Sequence, residues 1–247
     1  MDLISDEGYR QDGRKSHDLR KIKCKLGVYA QADGSAYLEQ GLTKVLAAVY
    51  GPHEITRNKS QAPADKVFIN CQYSTATFSG YERKFRPRGD RKSHEFTQLL
   101  KKTFESLVMT DAYPHSQLDI YCEILQSDGG NLSACINAAS LALIDAGVPL
   151  KSYAVSCTCA CYNNVVVADA SRAEETKANT ALITLAISPN NDDIVLLELN
   201  SKMHAEQLEN AINEAIRGCK AVHEVLDQAV RNHVTNVAMC LGWQDTD

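Results

Sequence analysis

The chain has 247 residues and a formal net charge of −5, with 44% hydrophobic and 23% charged residues. A chain of this length can bury a sizeable core, as one large domain or two small ones. The acidic balance argues against a protein that binds nucleic acid over its whole surface, but a local basic patch remains compatible with it. No apolar run reaches the roughly 18 residues that a membrane-spanning helix requires, so no membrane partner is expected.

Nine cysteines are spread along the chain, and its first residues are polar rather than secretory. The odd count and this start predict a reducing compartment. Cys157, Cys159 and Cys161 alternate, which places them on one face of a strand. Because neither a histidine pair nor a Cys-x-x-Cys motif lies nearby, buried apolar thiols are favoured over a zinc site. We therefore expect no metal and no other cofactor.

In chain order, the first half predicts strands followed by helices. Alternating apolar residues broken by Gly34 and Gly41 indicate a three-stranded meander, and helical apolar spacing begins at Phe96. The predicted elements are the meander at 22–50, strands at 67–77 and 118–125, and helices at 96–108 and 134–146.

The second half repeats this style, with strands predicted at 155–162, 165–168, 181–187 and 194–199 before a long terminal helix. Each half thus has several strands followed by a helix, which predicts an α+β fold with an internal duplication. No linker separates independent domains. We expect a single domain with halves at about 9–150 and 151–233, and a loose tail at 234–247.

The stretch from Ser127 to Cys135 is the most informative one in the sequence. Its glycine pair, Gly129 and Gly130, lies where a strand turns into a helix. Such a turn lets the backbone approach a ligand, and the free N–H groups of the helix start suit an anion such as phosphate. Leu132 stands where an anion site would normally carry a cation. A tight turn with a purely structural role is the alternative interpretation.

Several short motifs together resemble the ribonuclease PH family over about residues 9–230, and within it a core ring subunit of the eukaryotic RNA exosome. The motifs are Arg10-x-Asp12-Gly13-Arg14, Leu19-Arg20, Ala32-Asp33-Gly34-Ser35, Gly41-x-Thr43-x-Val45, Gly51-Pro52 and Asp128-Gly129-Gly130. The resemblance implies a ribonuclease PH-like fold of two βαβ-type halves. It also implies a six-membered ring around a pore that single-stranded RNA threads. Active members are phosphorolytic 3′→5′ exoribonucleases, in which phosphate attacks the terminal phosphodiester and releases nucleoside diphosphates.

Carried over residue by residue, the resemblance implies a degenerate phosphorolytic site. Active relatives carry an arginine where this chain has Leu132, and two aspartates that match Asp169 and a position near Ala181. The implied vestigial phosphate site is Gly129, Gly130, Asn131 and Ser133, with Ser133 and Asp169 as catalytic remnants. These losses predict that the chain is not an enzyme. Replacement of the missing carboxylate by Glu174 or Glu175 is the alternative.

Residues 81–92 form a basic segment, with six basic residues against two acidic ones, a local charge of +4. A segregated cationic segment in an acidic chain is typical of a phosphate-backbone contact, and Tyr81 and Phe85 offer stacking faces for bases. The structural alternative is that this segment is simply the solvent-exposed start of a helix. The candidate RNA-binding residues, including two from the loop at 53–66, are Arg57, Lys59, Arg83, Lys84, Arg86, Arg88, Arg91 and Lys92.

Together with these observations, the resemblance implies a non-catalytic ring subunit that scaffolds the exosome and guides single-stranded RNA to a separate 3′→5′ nuclease for rRNA processing and mRNA turnover. The implied partners are other ribonuclease PH-like ring subunits in a hetero-hexamer, RNA-binding cap subunits and a catalytic exonuclease subunit. The implied locations are the nucleus, nucleolus and cytoplasm. The alternatives are an active phosphorolytic exoribonuclease and a purely structural ring protein without RNA contact.

Overall fold

The computed structural model describes residues 4–5, 7–55, 66–83, 89–162, 165–177 and 180–240. The elements of the first half are β1 (Ile22–Leu26), β2 (Gly34–Gln40), β3 (Thr43–Glu54), β4 (Phe68–Thr75), α1 (Arg91–Leu107), β5 (Ser116–Gln126) and α2 (Asn131–Asp145). They form a five-stranded sheet in the order β1-β2-β3-β5-β4. β1, β2 and β3 are the predicted meander, and the parallel pair β4 and β5 is connected through α1. The predicted βαβ-type first half is confirmed.

The second half contains a four-stranded sheet in the order β7-β6-β8-β9. Its elements are β6 (Val155–Tyr162), β7 (Val165–Ala168), α3 (Arg172–Glu175), β8 (Ala181–Ser188), β9 (Asp193–Leu199) and α4 (Ala205–Cys240). β7 and β8 are both antiparallel to β6, so they run in the same direction and are connected through α3. The second half is therefore also of βαβ type, and the predicted α+β class is confirmed.

α2 lies between the two sheets and packs on β2, β3 and β6. Small side chains allow this close packing. At Gly34 in β2, an added Cβ would lie 2.2 Å from the carbonyl oxygen of Ala142 in α2. One hydrophobic core takes residues from both sheets, among them Ile124 and Leu185, which are fully buried. The start of α2, where the glycine turn lies, is thereby held at the junction of the two halves.

α4 continues to Cys240, so the predicted loose tail is wrong for residues 234–240, while 241–247 lie outside the described residues. No glycine or proline interrupts the sequence from Cys219 to Leu241. Helical side-chain contacts also extend into this region: Arg231 Nε donates to Asp227 over 2.7 Å, and the Thr235 hydroxyl donates to the Arg231 carbonyl over 2.9 Å. These local contacts stabilise the helix beyond the part that packs on the core.

The three alternating cysteines of β6 are free thiols and buried, in line with the apolar interpretation. Within the described residues, no group of three or more His, Cys, Asp or Glu side chains could hold a metal ion. Across the same residues, no helix has both the length and the apolar character needed to cross a bilayer.

Candidate functional site

The glycine turn before α2 is shaped by protein packing. Gly129 has φ +86°, and a Cβ there would lie 2.7 Å from the carbonyl oxygen of Ala170 and from the amide nitrogen of Arg172. The backbone that approaches this glycine therefore belongs to the β7–α3 connection rather than to a ligand. Gly130, at φ +64°, is the N-cap of α2 in the left-handed region that favours glycine. The fold itself requires both glycines, which agrees with the alternative that the turn has a structural role.

Asp169 is a buried structural acceptor. Its side chain is fully buried, and Oδ1 accepts hydrogen bonds from Arg20 Nη2 over 2.6 Å and from Gln40 Nε2 over 2.8 Å. Its Oδ2 accepts from the backbone N–H of Arg20 over 2.8 Å. These bonds also hold the backbone of Asp169 at φ +51°, which non-glycine residues rarely adopt. The prediction that Asp169 does not act in catalysis fits this environment.

Arg20 connects Asp169 to the glycine turn. Its Nη1 donates to the carbonyl oxygen of Asp128 over 2.7 Å. Burial by itself lowers the pKa of Arg20, but the hydrogen bond and negative charge of Asp169 outweigh it and raise this pKa above its ordinary value. Arg20 therefore stays positively charged and links the end of β7 to the start of α2.

Arg10 and Glu174 form a second buried pair close by. Arg10 Nε donates to Glu174 Oε1 over 2.8 Å, and Arg10 Nη1 donates to the carbonyl oxygen of Ala168 over 2.7 Å. Glu174 also accepts from the N–H of Ser171 in the capping box that begins α3. Burial raises the pKa of Glu174, but the bonds from Arg10 and Ser171 hold it below its ordinary value. The motif arginines therefore fix α3 beside the glycine turn.

The next residue, Glu175, brings a carboxylate to the start of α2. Its Oε1 accepts a hydrogen bond from the N–H of Gly130 over 2.7 Å, and the side chain is only partly buried. Burial raises the pKa of Glu175 above its ordinary value, although Gly130, Arg20 and Lys92 act in the opposite direction. Lys92, at the start of α1, is thus close enough to act electrostatically on this carboxylate. Glu175 is a partly exposed acid held at a helix N-terminus.

The structure shows where Ala181 and Glu175 lie. Ala181, where the second carboxylate was expected to be missing, begins β8, pairs with Cys161 and is buried. Glu175 is the carboxylate that the N–H of Gly130 holds at the start of α2, and the replacement of the missing aspartate by one of the two glutamates stays a prediction.

Ser133, a predicted phosphate-site residue, and its neighbour Leu132 are buried in the protein. Ser133 is fully buried, and its hydroxyl donates to the carbonyl oxygen of Gly130 over 2.8 Å and accepts from Thr158 over 3.1 Å. Leu132 is 3% exposed and belongs to the hydrophobic core. Asn131 is partly exposed and donates through Nδ2 to Ser127 Oγ over 2.8 Å. The Ser133 hydroxyl is thus bonded inside the protein, and the vestigial phosphate site stays a prediction.

Only part of the basic segment lies within the described residues. Arg83, Arg91 and Lys92 are exposed, and Arg91 pairs with Glu95 over 3.1 Å. The other predicted RNA-binding residues, together with Phe85, lie outside the described residues: Arg57, Lys59, Lys84, Arg86 and Arg88. Sequence reasoning missed Arg172, whose guanidinium lies 4.7 Å from the ring centroid of Tyr81. No local pattern in the sequence pairs these two residues, which are far apart along the chain.

Comparison with known proteins places this geometry in a family. Residues 18–149 match the model for domain 1 of the 3′ exoribonuclease family, and residues 152–218 match domain 2. The Bos taurus exosome complex component RRP41 is 48% identical over 242 residues, which cover 98% of both chains. Crystalline Rrp46 from rice has a TM-score of 0.81 at 25% identity, over 90% of this chain and 100% of that one.

A second solved structure, the Archaeoglobus fulgidus exosome with RNA bound to the active site, has a TM-score of 0.74 at 21% identity and covers 88% of this chain and 92% of that one. The matches confirm the resemblance to the ribonuclease PH family and the predicted fold. They also overturn one prediction. Both family models describe exoribonucleases, so the prediction that this chain is not an enzyme is wrong.

Proposed function

This chain belongs to the 3′ exoribonuclease family, and from that premise we propose that it is a core ring subunit of an RNA exosome that degrades single-stranded RNA from its 3′ end by phosphorolysis. Two similarities support the proposal. The bovine relative is named an exosome component, and the Archaeoglobus structure is that of an exosome with bound RNA. The proposed partners are further ribonuclease PH-like ring subunits and RNA.

The observation that carries the reaction is the position of Glu175 at the start of α2. In phosphorolysis, an oxygen of inorganic phosphate attacks the terminal phosphorus, and the bond from that phosphorus to the 3′ oxygen of the preceding nucleotide breaks. The nucleoside diphosphate leaves, and the 3′ oxygen must take up a proton. A partly buried carboxyl whose pKa is raised can deliver that proton as a general acid. Asp169 cannot, because both of its oxygens are occupied inside the protein.

The proposed anion contacts come from two helix starts. Phosphate and the phosphodiester repel each other, so positive groups must offset this repulsion. Lys92 and Arg91 are exposed at the start of α1, and the first N–H groups of α2 have no acceptor within their own helix. Leu132 adds no charge, because it is apolar and packed in the core. A missing charge-assisted hydrogen bond predicts phosphate affinity about tenfold to a hundredfold below that of an arginine-bearing relative.

The test is product identification with the assembled ring. Single-stranded RNA is incubated in a magnesium-containing buffer with and without phosphate, and the products are separated by chromatography. The proposal predicts nucleoside diphosphates only when phosphate is present, with half-saturation at high phosphate. Release of nucleoside monophosphates independently of phosphate would show hydrolysis and contradict it, as would the absence of any product at saturating phosphate.

RNA entry is proposed to follow the basic segment at 81–92. Cations without base-reading geometry bind RNA without sequence preference and with strong dependence on salt. Charge reversal at Arg91 and Lys92 should weaken RNA crosslinking to the assembled ring and lower the salt dependence of binding. Unchanged crosslinking in an intact ring would favour a purely structural role for the segment.

A further inference from the structure

Two large aromatic side chains lie exposed between β4 and α1. Phe78 is 73% exposed and Tyr81 is 88% exposed, whereas aromatic side chains of this size are usually largely buried. Both line one groove of about 430 Å³, within the usual range for small-molecule sites of about 300–1000 Å³. Leu42, itself 60% exposed, and Lys44 lie in the same groove. The groove thus combines flat apolar faces with a cation.

This groove is held against the start of α2. The N–H of Ser79 donates to the carbonyl oxygen of Ala76 over 3.0 Å, and the N–H of Ser127 donates to that of Ser79 over 2.9 Å. At the far end, Arg172 stacks over Tyr81. The aromatic segment is therefore fixed to the β5–α2 turn, two residues before the glycine pair, and to α3, which carries Glu175. Such preorganisation lowers the entropic cost of ligand binding.

The charges around the groove indicate which class of ligand it binds. Among the lining residues, Asp128 is the acidic one, and its carboxylate lies 4.0 Å from Arg20. Lys44 and Lys23 both pair with Glu39, so one carboxylate faces two positive charges. Arg172 adds a further positive charge, and the basic segment begins at Tyr81. Flat apolar faces within cationic surroundings suit a nucleobase attached to a phosphate backbone better than an acidic or neutral peptide.

We propose that Phe78 and Tyr81 form a stacking site for one base of single-stranded RNA next to Glu175. The inference rests on the proposed function and adds to it a subsite for the RNA near its reacting end. Ser127 and Asp128 line the groove, and the N–H of Gly130 holds Glu175. A base seated in the groove therefore places its neighbouring phosphodiester at the start of α2. Stacking on ring faces tolerates any base, so the site has no sequence preference.

The test measures RNA affinity of the assembled ring by fluorescence anisotropy. Phe78→Ala and Tyr81→Ala should each weaken binding of single-stranded RNA by about fivefold to a hundredfold, the range of one lost base–aromatic stack. Phe78→Trp should retain the wild-type affinity. The matched control is Tyr29→Ala, an aromatic residue that is 46% exposed outside this groove and should leave binding unchanged. An RNA with one abasic position near its 3′ end should abolish the difference between wild type and Phe78→Ala.

Two results would overturn the inference. One is an unchanged affinity for intact RNA in both alanine variants. The other is loss of ring assembly in Phe78→Ala while the Tyr29→Ala ring persists, which would identify the groove as a protein interface. The test of stacking is independent of the test of the reaction, because it measures binding alone. If the wild-type ring shows no phosphorolysis but Phe78→Ala weakens RNA binding as predicted, only the proposed reaction is contradicted.

Discussion

Asp169 and Glu175 lie six positions apart in the sequence and both lie close to Gly130, yet their environments differ. Asp169 is fully buried and accepts three hydrogen bonds from Arg20 and Gln40. Glu175 is partly exposed and accepts one from the N–H of Gly130. A carboxylate whose oxygens are all occupied inside the protein can hold elements together but cannot exchange protons with a substrate. A match to a family motif therefore does not decide which carboxylate can transfer a proton to a substrate. The burial and the hydrogen-bond partners of each carboxylate are the better guide.

The largest expected effect is on folding. Asp169→Ala removes the partner of the buried Arg20 guanidinium and should lower the free energy of unfolding by about 3–5 kcal/mol. Glu175→Gln, which keeps a side-chain acceptor for Gly130, should change it by less than about 1 kcal/mol. Urea unfolding followed by circular dichroism measures both values. Equal losses in the two variants would remove the distinction between a structural and an accessible carboxylate.

A somewhat smaller effect is expected at the Arg10–Glu174 pair and depends on pH. The pKa of Glu174 in the folded protein lies below its ordinary value of 4.5, so its stabilising contribution is present above that value and is lost as pH falls through the lowered pKa. Glu174→Gln should cost about 2 kcal/mol at neutral pH, the order of a hydrogen bond to a charged group. Thermal melts from pH 6 to about pH 3 should fall more steeply for wild type than for the variant. Parallel curves would show that Glu174 does not contribute to acid unfolding.

The smallest of the three effects concerns the glycine turn. Gly129→Ala adds a Cβ 2.7 Å from backbone atoms of Ala170 and Arg172, and should cost about 1–3 kcal/mol more than Gly13→Ala. Gly13 is a matched control because its φ of +81° is similar to +86° at Gly129, and a Cβ there meets nothing within 4 Å. The difference in urea midpoint between the two variants isolates the close approach from backbone strain. Equal midpoints would mean that the β7–α3 connection can move away.

Much of the fold could be predicted from sequence because its elements are marked by local patterns. The meander, the parallel strands β4 and β5 and the long terminal helix all follow apolar periodicity and turn residues. α2 begins three residues earlier than the predicted 134, because Gly130 takes up the left-handed conformation directly before the helix. The end of α4 was missed for the opposite reason: exposed residues such as Val234 and Met239 carry no core pattern, yet nothing in them interrupts a helix.

The candidate site was harder to predict, since its residues meet only through tertiary structure. The cations and the glycine turn were visible as motifs, but the role proposed for Glu175 depends on its tertiary contact with the start of α2. The inward orientation of Ser133 and Leu132 depends on which face of α2 enters the core. Phe78 gave no signal, because an isolated aromatic residue near a strand end is normally buried. These features require distances between residues that are remote in sequence.

The most direct measurement of the central claim compares nucleoside diphosphate release by rings that contain wild-type chain or Glu175→Gln, at saturating phosphate and RNA. Loss of a general acid should lower the rate by about a hundredfold or more, while the free energy of unfolding of the variant changes by less than about 1 kcal/mol. The wild-type rate should also fall as pH rises through the raised pKa of Glu175. A Glu175→Gln ring that releases nucleoside diphosphates at the wild-type rate would contradict the account.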